Sequence, residues 1–158
     1  MLFRSEQYNF STRFQESILA CIVQHPEKFA FLEGVLKPAY FSTTHGFLVC
    51  KVLLDYQRKH GKIPSWPTVH ELLADEVAQV GQEENKDEYI RFADQLEGRD
   101  TGDADYILSK VVTFARERAI LCTIKEVLDA VETGKMGTLN VVSRFEAALR
   151  VGENAEDL

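Results

Sequence analysis

The sequence predicts an all-α protein in which a globular bundle of about five helices is followed by a helical hairpin. Apolar residues recur at steps of three, four or seven along most of the chain, which is the spacing of an amphipathic helix. No segment shows the strict alternation of a half-buried strand, and Ile63-Pro64, which comes nearest, is short and contains a proline. Glycines and prolines fall between the periodic segments, where helices are expected to end.

The first two predicted helices meet at a His-Pro pair. Ser11 or Thr12 is expected to cap the first helix, which ends at His25 because a residue before proline avoids helical geometry. Pro26 then suits the first turn of the second helix. The predicted buried stripes are Phe14, Ile18, Cys21 and Ile22 in the first helix and Phe29, Leu32, Val35 and Leu36 in the second.

The next three predicted helices surround a proline-rich connector at residues 62–67. Thr43 or Thr44 is expected to cap the third helix, and Gly61 to end it. Ser65 is expected to cap the fourth helix, and a fifth, acidic helix is predicted for residues 84–96. The predicted inward faces are Phe47, Leu48, Val52, Leu53 and Tyr56, then Val69, Leu72, Leu73 and Val77, then Tyr89, Phe92, Ala93 and Leu96.

The longest predicted helix covers residues 105–131 and is followed by a shorter one after a break at 132–138 that contains two glycines. Two amphipathic helices with a short polar connection form a helical hairpin. The apolar faces of this hairpin need a partner, so it either folds onto the preceding domain or meets another copy of itself. The two stripes are Ile107, Val111, Phe114, Leu121, Ile124, Leu128 and Val131, then Leu139, Val142, Phe145 and Leu149.

The chain is therefore predicted to have three regions. Residues 1–100 form a helical head domain, residues 101–151 form the hairpin, which serves oligomerisation, and residues 152–158 begin a polar linker or tail. Residues 97–103 are the richest cluster of turn-forming residues, and we expect the boundary and hinge between head and hairpin there.

Composition argues against several functional classes. The chain of 158 residues carries a formal net charge of −7, with twelve carboxylates and three basic groups in residues 71–105. No basic stripe is present in the sequence, so direct DNA binding is expected to be absent or weak. No apolar run has the length of a membrane span, and no apolar signal sequence precedes the first helix. The three cysteines, Cys21, Cys50 and Cys122, are expected to be free thiols, which suits a reducing cytoplasm.

No catalytic, cofactor-binding or metal-binding residue is predicted, and the chain is not expected to be an enzyme. The sequence contains neither Gly-x-x-x-x-Gly-Lys-Ser/Thr nor Gly-x-Gly-x-x-Gly, so no nucleotide site is visible. The four histidines lack metal-binding spacing, and Cys50 has no base nearby in sequence. The carboxylate pairs, such as Glu83 with Glu84, lie in an acidic stretch that is expected to be solvated.

Arg118 interrupts the apolar stripe of the long helix. It follows Phe114 by four residues and precedes Leu121 by three, so it lies on or near the buried face. An arginine in this position can bind a carboxylate or exposed carbonyl groups across an interface. Alternatively, its side chain follows the edge of the helix to reach water.

Several motifs, in order, resemble the N-terminal domain of DnaB-like replicative DNA helicases, including phage forms. The first helix contains Phe-Gln-Glu-Ser-Ile-Leu-Ala-Cys-Ile-Val, and Leu-Lys-Pro-Ala-Tyr-Phe at residues 36–41 precedes Thr44-His45. The third helix ends in Leu-Asp-Tyr-Gln-Arg-Lys-His-Gly, and the long helix opens with Tyr-Ile-Leu-Ser-Lys-Val-Val-Thr-Phe-Ala-Arg-Glu-Arg. The resemblance covers residues 12–151. Pro64 and Ser65 stand where the family usually has an isoleucine–aspartate pair.

The resemblance implies a particular architecture and role. In that family a helical head is followed by a hairpin, hairpins of neighbouring subunits pack in pairs, and the pairs form a collar that recruits primase and responds to loaders. ATP and magnesium bind in a separate motor domain. By this resemblance the chain is a collar domain without its motor, either truncated from a longer protein or a stand-alone relative.

We therefore expect a non-catalytic assembly and partner-docking domain of a hexameric replicative helicase in a bacterial or phage-infected cell. The expected partners are copies of the chain, as a dimer or a trimer of dimers, and a primase or helicase loader, but no membrane. The alternative is a stand-alone helical adaptor that binds a host primase or loader. The predicted interface residues are Ile107, Val111, Phe114, Arg118, Leu121, Leu128, Leu139, Val142, Phe145 and Leu149.

Overall fold

Seven α-helices make up most of residues 10–30, 34–138 and 140–153, which are the residues that the computed structural model describes. These residues contain no β-strand, so the predicted all-α class is confirmed. The helices are α1 (Thr12–Gln24), α2 (Pro26–Phe29), α3 (Thr44–His60), α4 (Trp66–Gln79), α5 (Lys86–Glu97), α6 (Ala104–Thr133) and α7 (Val141–Leu149). Short 3-10 turns occur at Pro38–Tyr40, Glu83–Asn85 and Met136–Thr138.

Polar caps begin α1 and α3 as the sequence predicts. The Ser11 hydroxyl accepts a hydrogen bond from the Phe14 N–H at 3.2 Å, and the Thr43 hydroxyl accepts one from the Gly46 N–H at 3.0 Å. Ser65 precedes α4 as predicted, but its hydroxyl lies 3.4 Å from the Thr68 hydroxyl and does not cap the backbone.

The second helix is shorter than predicted. It ends at Phe29, so Val35 and Leu36 are buried outside any helix, and Leu32 lies outside the described residues. Pro38 begins a 3-10 turn at the end of this connection. The spacing of Val35 and Leu36 after Phe29 fits a helix, but at these two positions it reflects burial outside helical structure.

Helix α1 runs through the centre of the head, with α3, α5 and α6 around it. Ile18, Leu19, Ala20 and Cys21 are each no more than 1% exposed. Four consecutive buried residues cover all sides of a helical turn, so α1 is enclosed by neighbours and has no solvent face at this level. The predicted stripe of α1 is therefore only part of its buried surface.

The first half of α6 belongs to the core of the head. The Phe114 ring lies among three other aromatic rings, with centroid distances of 5.6 Å to Phe10, 6.5 Å to Phe14 and 5.6 Å to Phe41. Val111 and Ala115, on either side of it, have no exposed surface. Residues 104–115 thus join the head instead of leaving it with the rest of the predicted hairpin.

The turn cluster at residues 97–103 is bound to α1 and its C-terminal cap. The Arg99 guanidinium forms an ion pair with Glu16, and the His25 Nε2 lies 3.0 Å from the Thr101 hydroxyl. These contacts tie the turn to the head at two points. The hinge expected at residues 97–103 therefore lies in a segment that two side-chain contacts hold against α1.

Candidate interaction surface of the helical hairpin

A glycine at the end of α6, a side-chain cap at the start of α7 and one ion pair between the helices form the hairpin. Helix α6 ends at Gly134, whose φ of 72° is favourable for glycine alone, and the Asn140 side chain caps α7 by accepting from the Ser143 N–H at 3.0 Å. Between the helices, Arg144 lies 3.3 Å from Glu126. The antiparallel arrangement of α6 and α7 follows from this turn.

Small side chains allow the two helices of the hairpin to approach each other. Ala148 of α7 and Ala119, Thr123 and Ala130 of α6 are all buried, and α6 and α7 are packed neighbours. Residues 119, 123 and 130 recur at steps of four and seven, so they lie on one face of α6. This face differs from the one that carries Phe114 into the head.

The end of α7 returns to the middle of α6. The Arg116 guanidinium donates two hydrogen bonds to the Val151 carbonyl, at 3.3 Å from Nε and 3.1 Å from Nη2. Gly152 lies directly on Val112, since a Cβ added to it would be 2.4 Å from a Val112 methyl group. Residue 152 is therefore a packed position on α6, although the sequence assigns it to the start of a linker.

Helix α6 changes its environment along its length. Ile107, Val111 and Phe114 are buried in the head, whereas Leu128 is 53% exposed and Val131 is 58% exposed. All five belong to the single apolar stripe recognised in the sequence. The stripe thus serves the core at one end and faces solvent at the other.

The apolar stripe of α7 faces solvent. Val142 is 68% exposed and Leu149 is 58% exposed, whereas Phe145 between them is half-buried. We define the hairpin apolar surface as the five large apolar side chains that are exposed among the described residues of this region, which are Leu128, Val131, Met136, Val142 and Leu149. In the described residues, no helix has both the length and the hydrophobicity that a membrane crossing requires.

The structure divides the predicted interface residues into groups. Leu128, Val142 and Leu149 are exposed, and Phe145 is half-buried. Leu139 lies outside the described residues. The buried members are Ile107, Val111, Phe114 and Leu121. For these four residues the predicted interface role is corrected to a core role, because side chains that are enclosed within one chain cannot reach a second copy.

The structure also supplies a partner for Arg118. Its Nε donates a 2.6 Å hydrogen bond to the Tyr40 carbonyl in the head. The sequence predicts exposed carbonyl groups as one acceptor for this arginine but places them across an interface. Because the acceptor lies in the same chain, this hydrogen bond holds α6 against the head.

Two of the three cysteines, Cys21 and Cys50, do not have the properties of nucleophiles. Cys21 and Cys50 are buried free thiols, as the sequence predicts for small apolar residues, and Cys122 is partly exposed. Burial raises the pKa of Cys21 to about 11 and raises that of Cys50 further. These two thiols therefore remain protonated at neutral pH, and a thiol that stays protonated is a weak nucleophile.

One cluster of polar side chains was missed by the sequence reasoning. His70 of α4 meets Asp94 and Glu97 of α5, and one ligand atom of each lies within 4.8 Å of the others. The His70 Nε2 is 2.8 Å from Asp94 Oδ1, and its Nδ1 is 2.8 Å from the Trp66 carbonyl oxygen. Burial lowers the pKa of His70, but these two acceptors and the charge of Glu97 outweigh it, so the pKa is raised overall. The spacing of Asp94 and Glu97, one helical turn apart, was the available signal.

Known proteins provide no assignment for this chain. No protein-family model matches it, and no curated protein or solved structure is significantly similar to it. The geometry of the hairpin and the motifs of the sequence are therefore the basis for a functional proposal.

Proposed function

We propose that the chain is a non-catalytic assembly and docking domain that pairs with a second copy of itself through the hairpin apolar surface. One observation carries the proposal. Of the eight exposed large apolar side chains in the described residues, five lie between residues 128 and 149. Exposed apolar side chains that are concentrated in one region mark an interaction site, whereas scattered ones do not.

The distribution of charge favours the hairpin as the contact between copies. Residues 106–158 contain seven basic and eight acidic groups, whereas residues 71–105 contain three basic and twelve acidic groups. Two copies that meet through the acidic part of the head repel each other, while two nearly neutral hairpins do not. A two-fold contact needs only one self-complementary surface on each chain.

The energetics predict a weak pair. Full burial of a large apolar side chain contributes about 1.5–3 kcal/mol, and these side chains are already about half-covered, so each contributes about 1 kcal/mol. Ten such side chains in a symmetric pair give about 10 kcal/mol, against a cost of about 4–15 kcal/mol for lost freedom of motion. Pairing should therefore depend on concentration and gain strength when several copies are held together.

The motifs described above support a particular setting for this assembly. The chain resembles the collar domain of DnaB-like replicative helicases, where paired hairpins hold subunits in a ring and a primase or loader docks. In this setting the chain contributes assembly and docking, and ATP-driven unwinding belongs to a separate motor domain. A Gly-x-x-x-x-Gly-Lys-Ser/Thr loop encoded downstream in the same reading frame would support this setting, and a stop codon directly after residue 158 would contradict it.

The pairing is tested by sedimentation velocity over a concentration series. We expect the average mass of the unmodified chain to rise with concentration. Replacing Leu128 and Val131 together by Gln should keep the chain monomeric, because it removes two apolar contacts from each copy. Val80→Gln is the matched control, since Val80 is 46% exposed at the end of α4, outside the hairpin. A mass that does not change with concentration, or equal effects of both changes, would contradict the proposal.

A further inference from the structure

The polar cluster between α4 and α5 has a hydrogen-bonding pattern that a neutral histidine cannot satisfy. The His70 Nδ1 faces the carbonyl oxygen of Trp66 and its Nε2 faces a carboxylate oxygen of Asp94, and both oxygens only accept hydrogen bonds. The neutral ring carries one proton, so in either tautomer one ring nitrogen directs a lone pair at an acceptor oxygen 2.8 Å away. Two acceptors at this distance repel each other unless a cation or a second proton joins them.

The same arrangement is the one that metal-binding histidines adopt. Such a histidine donates its remote ring N–H to a carbonyl or carboxylate, which fixes the tautomer and directs the other nitrogen towards the metal. The Trp66 carbonyl fulfils this role for His70. This is a separate observation from the presence of acidic side chains nearby.

Within the described part of the chain, His70 is the positively charged group that the two carboxylates can pair with. Among the described residues, neither Asp94 nor Glu97 lies within salt-bridge distance of a lysine or arginine. Both carboxylates are exposed, and they lie in the segment with twelve carboxylates and three basic groups. The local electrostatic potential is therefore negative and attracts a cation.

The helices that carry the cluster are fixed by the core. His70 lies beside Val69 in α4, and Asp94 and Glu97 follow Ala93 and Leu96 in α5. These three apolar neighbours are at most 1% exposed. The backbone positions of the polar residues are thus set by packing, as a site on rigid elements requires.

We propose that His70, Asp94 and Glu97 bind one divalent transition-metal ion of the zinc class, with water completing its coordination. A donor set of one imidazole nitrogen and two carboxylate oxygens suits Zn²⁺ and its neighbours, whereas Ca²⁺ and Mg²⁺ prefer oxygen alone. Ligand atoms around tetrahedral zinc lie about 3.4 Å apart. The three atoms lie within 4.8 Å of one another, and His70 Nε2 and Asp94 Oδ1 are 2.8 Å apart, so zinc binding requires rotation of both exposed carboxylate side chains, Asp94 slightly away from the ring and Glu97 towards it. The ion would join α4 to α5.

The site is tested by calorimetric titration of ZnCl₂ into protein that has been dialysed against a chelator. We expect one site per chain, and His70→Gln, Asp94→Asn and Glu97→Gln should each weaken binding by about tenfold or more. Glu88→Gln is the matched control, because it removes the same charge from an exposed position of α5 outside the cluster. The far-ultraviolet circular dichroism of each variant checks that the helices remain folded.

The exposed Glu97 provides the decisive variant if His70→Gln disturbs the fold. Absence of binding at millimolar Zn²⁺ would overturn the proposal and leave a charged histidine paired with Asp94. Undiminished binding in Glu97→Gln and Asp94→Asn would also overturn it. Equal weakening in Glu88→Gln would do so too, since it would show attraction to the acidic surface as a whole. Titration with Co²⁺ adds a second readout, because its visible absorption reports coordination by protein ligands.

Discussion

The Nε of Arg118 donates a 2.6 Å hydrogen bond to the carbonyl oxygen of Tyr40, a residue 78 positions earlier in the chain. Tyr40 is the last residue of the 3-10 turn Pro38–Tyr40, which precedes α3. The contact therefore fixes the middle of α6 against the loop that leads into the third helix. It lies between the buried first half of α6 and the exposed second half.

Removal of the Arg118 side chain should destabilise the protein without altering its self-association. We expect Arg118→Met to lower the free energy of unfolding by about 1.5–3 kcal/mol, the range for hydrogen bonds to charged groups. Urea unfolding measures this change. Arg58→Met is the control, since Arg58 is 77% exposed and lies 3.5 Å from Asp55. It should change stability by less than about 0.5 kcal/mol. Similar losses in both variants would show that the Tyr40 contact contributes little.

Phe114 should act as a core residue and not as an interface residue. Phe114→Ala is expected to lower the free energy of unfolding by about 3–5 kcal/mol, because it leaves a cavity among three aromatic rings. Chemical denaturation with fluorescence detection measures the loss. Leu128→Ala removes a large side chain from the same helix where it is exposed, and its cost should be much smaller. Equal losses would contradict the division of α6 into a core half and a surface half.

The burial of Phe114 also changes what is expected of a charged substitution at this position. If Phe114 belonged to the interface, Phe114→Asp would weaken association and leave the head folded. Because Phe114 has no exposed surface, we now expect Phe114→Asp to unfold the head by placing a charge in its core.

Gly152 should tolerate alanine less well than Gly134 does. Both glycines have positive φ angles, 78° and 72°, so alanine strains the backbone at each by about 1–2 kcal/mol. An added Cβ has open space at Gly134 but lies 2.4 Å from a methyl group of Val112 at Gly152. Gly152→Ala should therefore detach the end of α7 from Arg116, and hydrogen exchange of the last amides of α7 should accelerate. The same acceleration in Gly134→Ala would exclude contact with Val112 as the cause.

Local features of the fold were predictable because they depend on neighbouring residues. Ser11 and Thr43 cap their helices as expected, and Gly61 ends α3 in the left-handed conformation. A cap is satisfied by backbone groups two or three residues away, so sequence spacing is sufficient to place it. Val35 and Leu36 were misassigned to a helix because burial outside a helix can imitate helical spacing.

The candidate site was predictable only in part. The stripe of α6 was recognised from its spacing, yet spacing is the same whether a stripe faces the head, as at Phe114, or solvent, as at Leu128. The carbonyl partner of Arg118 and the meeting of His70 with Asp94 depend on contacts between distant segments. No local pattern encodes such contacts.

The sequence by itself determined the all-α class, the caps of α1 and α3, the glycine ends of α3 and α6, and the hairpin of α6 and α7. These follow from helical spacing and from hydrogen bonds within one turn. Only the tertiary structure decided that the first half of α6 is core, that Gly152 packs on Val112, and that His70 faces two carboxylates. The physical reason is that an apolar or polar side chain takes its role from what is packed against it.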